Sequence, residues 1–235
     1  AMLADGGTLK PNFWRPLTSN DRAADGEKMF GPWQAPTYTL VSLKAEKVKN
    51  PNTQRTNVCV TALYELKAQR LHLAITYTLN EQGTLQVSQK VTPHDATAQP
   101  KVLRYGMTLQ MPMAMSQSQY LGRGPEENYA DRKMGTLIGM YSALADDMKY
   151  DYVRPQECGH HTDTRWITLS NASGAGLKVT SQRFHLRRFL LTMCCAEVFL
   201  ASLSVRPENV RDSMTIKIAE ISSITFVSFL LIIVL

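Results

Sequence analysis

Glu157, His160, His161 and Asp163 crowd into one short stretch, with Arg154, Arg165 and Trp166 on either side. A histidine and a carboxylate can serve as an acid–base pair, and His161 with Glu157 is the nearest candidate here, although spacing alone does not bring the two together. The same side chains are of types that ligate metals. Zinc needs convergent ligands, however, and neighbouring residues of a strand point to opposite faces, so at most one of His160 and His161 shares a face with Glu157. No metal ligand is assigned on this pattern. A structural reading competes with both: Glu127, Asp131, Glu157 and Asp163 can pair with Arg123, Arg132, Arg154 and Arg165 and orient loops by charge-assisted hydrogen bonds. The network is the primary reading, and a ligand-facing groove lined by Glu157, His161 and Trp166 is the second. Upstream, Asn20 and Asp21 are residue types that cap turns.

These residues lie in loops, and strands must hold them. Between Thr37 and Pro112, apolar residues recur at every second position between turn signals. Val58, Val60, Ala62, Tyr64 and Leu66 make one such face, Leu71, Leu73, Ile75, Tyr77 and Leu79 a second, and Leu85, Val87, Gln89 and Val91 a third. Intervening residues such as His72, Ala74, Thr76 and Thr78 make the wetter face. No stretch has a convincing helical period with caps, so the class is all-β. From Tyr120 to Trp166 the chain turns to loops dense in Gly, Pro, Asn, Asp, Arg and aromatics, of the kind that carry specific contacts. Gly122, Gly124 and Gly159 are read as positions of positive φ, with Pro125 and Pro155 fixing the turns around them.

Composition narrows the function classes. The 235 residues, 44% hydrophobic, suffice for one large β domain or two small ones. A formal net charge of +6 is spread over interleaved basic and acidic residues, without the basic run and adjoining aromatics of a nucleic-acid binder, so no nucleic-acid partner is expected. Cys59, Cys158, Cys194 and Cys195 form no C-x-x-C spacing and read as free thiols. Met2 to Gly7 has neither the basic start nor the apolar core of a secretory signal. The apolar runs from Phe189 to Ala196 and from Phe226 to Leu235 fall short of the ~20 residues that cross a bilayer, and no membrane partner is expected.

Three ordered segments carry a family resemblance. Pro11-Asn12-Phe13-Trp14-Arg15-Pro16-Leu17-Thr18-Ser19-Asn20-Asp21-Arg22 is similar to the N-F-W-R-x-x-T-D-N-D signature that opens the final domain of glycoside hydrolase family 2 β-galactosidases, with Ser19 where Asp is usual. Tyr120 to Arg132 resembles Y-x-G-x-G-P-x-E-N-Y-x-D-R. Tyr152 to Trp166 resembles Y-x-x-P-Q-E-N-G-x-R-x-D-x-R-W, with Cys158 replacing Asn and with His160 and His161 filling the variable pair. The resemblance runs from about Lys10 to Lys178. It implies a supersandwich of two large antiparallel sheets, as in galactose mutarotases.

It also implies a non-catalytic portion of an enzyme that releases terminal β-D-galactose with retention, using two carboxylates of a (β/α)8 barrel. Such a barrel needs about 250 residues of alternating strand and helix, a pattern this chain lacks. No catalytic residue is therefore assigned to it, and no cofactor; a divalent cation would serve the parent enzyme's barrel. The resemblance implies carbohydrate binding and assembly as the domain's roles, a galactoside met through the barrel, a homo-oligomeric full enzyme, and a bacterial source, cytoplasmic or periplasmic. Asn20 and Asp21 would then meet the barrel, giving a carbohydrate-facing set of Asn20, Asp21, Glu157, His161 and Trp166. The loop network is Arg123, Glu127, Asn128, Asp131, Arg132, Arg154 and Arg165. Two alternatives stay open: a free-standing mutarotase-like epimerase working through His161 and Glu157, and a carbohydrate-binding module with Tyr129, Tyr152 and Trp166 on one concave surface.

The domain is expected over residues 1–183, incomplete, with residues 184–235 a divergent tail. That tail carries no Trp where some family members bring one toward the galactose site. It is read as helix from Phe189 to Leu203 and an unattached apolar end from Ile224 to Leu235, leaving truncation, fusion or a shifted frame open as its origin.

Overall fold

The computed structural model describes residues 9–51, 53–95, 101–181, 189–194, 197–202, 216–217 and 227–234. After β1 (Lys10–Asn12) come two five-residue helices, α1 (Ser19–Ala23) and α2 (Gly26–Phe30). Four long strands follow: β2 (Thr39–Lys49), β3 (Thr56–Leu66), β4 (Leu71–Leu79) and β5 (Leu85–Pro93). Next are β6 (Lys101–Val102), β7 (Gly106–Gln110), β8 (Gln117–Gly124), β9 (Leu137–Leu144), β10 (His160–Thr164), β11 (Trp166–Ser170) and β12 (Gly176–Ser181). The remainder holds β13 (Phe189–Cys194), β14 (Glu197–Ser202), β15 (Ile216–Lys217) and β16 (Val227–Val234).

Two antiparallel sheets face each other. One has nine strands in the order β2-β3-β4-β5-β16-β12-β11-β8-β9, the other five in the order β1-β7-β14-β13-β10, and β15 pairs with β6 alone. The all-β supersandwich expected from the sequence is the fold observed. Alternation explains it. In β3 and β4, Leu66 pairs with Leu71, Tyr64 with Leu73 and Ala62 with Ile75, and these side chains turn inward together. They meet Met107 and Leu109 from β7 of the smaller sheet, with Phe13, Trp33, Tyr105 and Tyr120 filling the same core. Each fully buried Leu or Met contributes about 1.5–3 kcal/mol. The intervening residues face water, so a slip of one residue would invert every strand.

Three expectations are corrected. The tail is not helical where it is described: Phe189–Cys194 and Glu197–Ser202 form a strand pair in the five-stranded sheet. Val227–Val234 is not unattached but lies between β5 and β12. An unbroken apolar run has no period of its own to separate strand from helix, so pairing decides. The short helices α1 and α2 were not anticipated, since one turn and a half shows no period; Thr18 and Asp21 close a capping box at the start of α1. Of Gly122, Gly124 and Gly159, Gly159 alone has the expected positive φ, at 70°. Gly122 instead gives room: a Cβ there would lie 2.7 Å from Thr164 Oγ1 and 2.9 Å from Thr164 Cα, where β8 of the large sheet meets β10 of the small one.

Candidate functional site

The three signature segments converge on the side of the sandwich where β8 and β10 meet. Glu157 is buried, and its carboxylate accepts from Arg15 Nε at 2.8 Å and pairs with Arg104 Nη2. Arg15 reaches on to Asp21, with Nη1 2.6 Å from Oδ2. Asp21, Arg15, Glu157 and Arg104 thus form a buried line of alternating charge that joins the first segment to the third. Two weaker links reinforce it: Ser19 N donates to Gln156 Oε1 at 3.3 Å and Arg22 Nη2 to the Pro155 carbonyl at 3.3 Å.

The second segment is tied to the third by Glu127 and Asn128. Glu127 accepts from Arg132 Nη2 at 2.6 Å, from the Tyr152 hydroxyl, and from the Gly159 amide at 2.8 Å. Asn128 is fully buried. Its amide nitrogen donates to the carbonyls of Arg123 and Glu126, and its side-chain oxygen accepts from Thr162 N at 2.8 Å and Thr162 Oγ1 at 2.6 Å. Asp163 accepts from Arg123 Nε at 2.6 Å and Lys133 Nζ at 3.4 Å. Burial alone would raise the Asp21 and Asp163 carboxyls, but the arginine partners, with Thr18 for the one and Lys133 for the other, hold both below the ordinary range.

Both histidines are buried and neutral. His160 Nδ1 lies 2.6 Å from the Asn128 carbonyl, which can only accept, so the proton sits on Nδ1. Its ring stacks on Tyr129 at 4.7 Å, and burial pushes its pKa down to about 3. His161 Nδ1 lies 3.1 Å from the Arg123 carbonyl and 3.2 Å from the Tyr120 hydroxyl, and burial lowers this imidazole too.

The loop charges take partners beyond those the sequence suggested. Glu157 pairs with Arg15 and Arg104 rather than with Arg154 or Arg165; Arg154, Arg165 and Asp131 are exposed, and Arg165 donates to the Asp163 carbonyl at 2.6 Å. Of the carbohydrate-facing set, Asp21, Glu157 and His161 are buried, while Asn20 is exposed on α1. Trp166 is not brought to them. Its neighbour Ile167 fills the core, so Trp166 lies on the outer face of the nine-stranded sheet, with Lys178 Nζ 4.5 Å from its ring centroid. Tyr129 and Tyr152 are joined through Arg132, which covers the Tyr129 ring and donates to the Tyr152 hydroxyl. Sequence reasoning missed Arg104 and gave Arg15 no partner; Arg15 stood in the first motif, but Arg104 lay in no motif.

Chemically, the cluster suits rigid positioning. A carboxylate clasped by two guanidinium groups is a poor proton acceptor, which weakens the acid–base reading of Glu157 and His161. Among the described residues the three-ligand group with metal-binding spacing lies elsewhere, at Glu65, His72 and His94.

Residues 1–213 match the family model described as the β-galactosidase small chain. The chain belongs to that family. Relatives of this small-chain domain include a β-galactosidase of Priestia megaterium, 33% identical over 179 residues that make up 76% of this chain and 16% of that protein. A β-galactosidase small subunit of Latilactobacillus sakei is 27% identical over 177 residues, covering 68% of this chain and 54% of that one. The chain therefore spans about a sixth of the Priestia protein and about half of the small subunit. A GH36 α-galactosidase of Geobacillus stearothermophilus shares the fold, with a TM-score of 0.52 over 84% of this chain and 28% of that one, at 10% identity.

Proposed function

We propose that the chain is the non-catalytic sandwich of a β-galactosidase and works by packing against a barrel-bearing partner that cleaves terminal β-D-galactose. The observation that carries this reading is the alternating charge line of Asp21, Arg15, Glu157 and Arg104, which makes one rigid unit of three distant segments while engaging their carboxylates in ion pairs. Exposed apolar residues elsewhere on the domain suit covered surfaces. Met134 and Val153 stand out from the loops, and both edge strands of the large sheet carry more: Leu40, Val41 and Leu43 on β2, and Leu137, Ile138 and Met140 on β9. Sheet edges of this kind favour association, and a neighbouring domain removes the hazard. Asn20 is exposed on α1, next to the Ser19–Gln156 link.

The test is complementation. Priestia megaterium β-galactosidase truncated before the matched region is mixed with this chain, and hydrolysis of a chromogenic galactoside and co-elution on gel filtration are measured. Restored turnover with co-elution is the expected result; neither partner turns over substrate alone. Turnover by this chain alone, or accelerated equilibration of α- and β-galactose in a polarimeter, would replace the reading with an enzymatic one.

A further inference from the structure

On the outer face of the nine-stranded sheet, Glu65, His72 and His94 each bring a ligand atom within 4.8 Å of the others. The register makes this juxtaposition necessary. Glu65 on β3 lies directly opposite His72 on β4, and His72 directly opposite Thr92 on β5. Opposed residues of antiparallel strands point to one face. Their neighbours Leu66, Leu71 and Val91 are buried in the core, so the row of Glu65, His72 and Thr92 points outward. Two residues after Thr92, His94 returns to that face, and its amide donates to the Arg70 carbonyl at 2.9 Å, holding the end of β5 against the start of β4. The two imidazole rings have centroids 4.6 Å apart and are tilted by 49°, so they do not stack flat.

We propose that Glu65, His72 and His94 form a surface site for a divalent transition metal of the zinc type, with two imidazole nitrogens and one carboxylate oxygen as ligands and water in the open position. The donor set selects the metal class: imidazole suits zinc, nickel and copper, whereas magnesium and calcium take oxygen ligands. In a tetrahedral zinc site, bonds of 2.0–2.2 Å put ligand atoms ~3.3 Å apart. Closing from 4.8 Å needs side-chain turns of about an ångström. His94 is exposed and Glu65 is long, so both can make them, and the exposed side gives the ion its entry path. Glu65 and His72 lie on β3 and β4 and His94 directly follows β5, so an ion there would clamp the same end of all three strands. This site lies outside the loop cluster and is independent of the proposed assembly role.

Zinc chloride is titrated into the full chain, stripped with a chelator and dialysed, by calorimetry, with magnesium chloride as control. One zinc per chain with micromolar Kd, no heat from magnesium, and a rise in Tm of about 5–10 °C at a hundredfold excess over Kd are expected. His94→Ala and Glu65→Gln should each weaken zinc at least about tenfold. Both change exposed or half-buried side chains, and their melting without metal should match the parent chain. Absence of stoichiometric zinc binding up to 1 mM (about a thousandfold above the expected Kd) would overturn the site, as would zinc binding that survives both substitutions, since the thiols or the other histidines would then hold it.

Discussion

Replacing Glu157 with alanine tests whether the loop cluster is structural. The Glu157 carboxylate sits between Arg15 and Arg104, with side-chain exposures of 5%, 10% and 9%. With Asp21 included, two negative and two positive charges cancel. Glu157→Ala leaves the line with one excess positive charge in a place where water cannot solvate it well. Breaking a buried pair in this way costs about 3–5 kcal/mol. In a domain of this size each kcal/mol moves Tm by ~2–4 °C, so a drop of roughly 6–20 °C is expected in thermal unfolding followed by circular dichroism. Arg104→Ala should also destabilise, and the double variant should lose less than the sum, because each change relieves part of the other's unpaired charge. A Tm within 2 °C of the parent (below roughly 1 kcal/mol), together with lost galactoside binding in the assembled enzyme, would refute this and make Glu157 a sugar-contacting residue.

Acid should destabilise the sandwich early. The unfolded chain protonates His160 near pH 6.5, whereas burial, despite the Asn128 carbonyl, holds the folded value at about 3. Below pH 6.5 the unfolded state binds the extra proton, so stability falls by up to ~1.4 kcal/mol per pH unit until the folded value is reached. His161 steepens the fall, and Asp21 and Asp163, depressed in the folded state, add losses at lower pH as they protonate. Urea midpoints from pH 7 to 4 measure this; a flat profile, or one unchanged by His160→Asn, would contradict it. Gly122→Ala would drive a methyl into the Thr164 backbone, and a loss of ~1–3 kcal/mol is expected from urea unfolding; an unaltered midpoint would show that β8 and β10 can move apart freely.

What the sequence revealed depended on how local each interaction is. The strands β3 to β5 were legible because one face of each is buried, and a period of two records that burial in every residue. The loop residues were legible by type, through the three signatures, but their pairings were not. Glu157 was grouped with Arg123, Arg132, Arg154 and Arg165 of the signature loops without an assigned pair, whereas burial matched it to Arg15 and Arg104 from other segments. Exposed arginines next to a buried carboxylate cannot offset its desolvation; buried ones can. The insertion of Val227–Val234 between β5 and β12 is also non-local, and an unpatterned apolar run carries no mark of its neighbours.

The trio of Glu65, His72 and His94 was within reach of the sequence. The Lys67–Arg70 turn pairs Leu66 with Leu71, and that single pairing already puts Glu65 opposite His72 on the face away from the core. The Asn80–Thr84 turn fixes Leu79 opposite Leu85, which places Thr92 opposite His72 and brings His94 to the same outer face. Turn length sets register, and register sets which polar residues become neighbours on the wet side of a sheet. Reading that outer face strand against strand, as the core face was read, would have brought the two histidines and the carboxylate together.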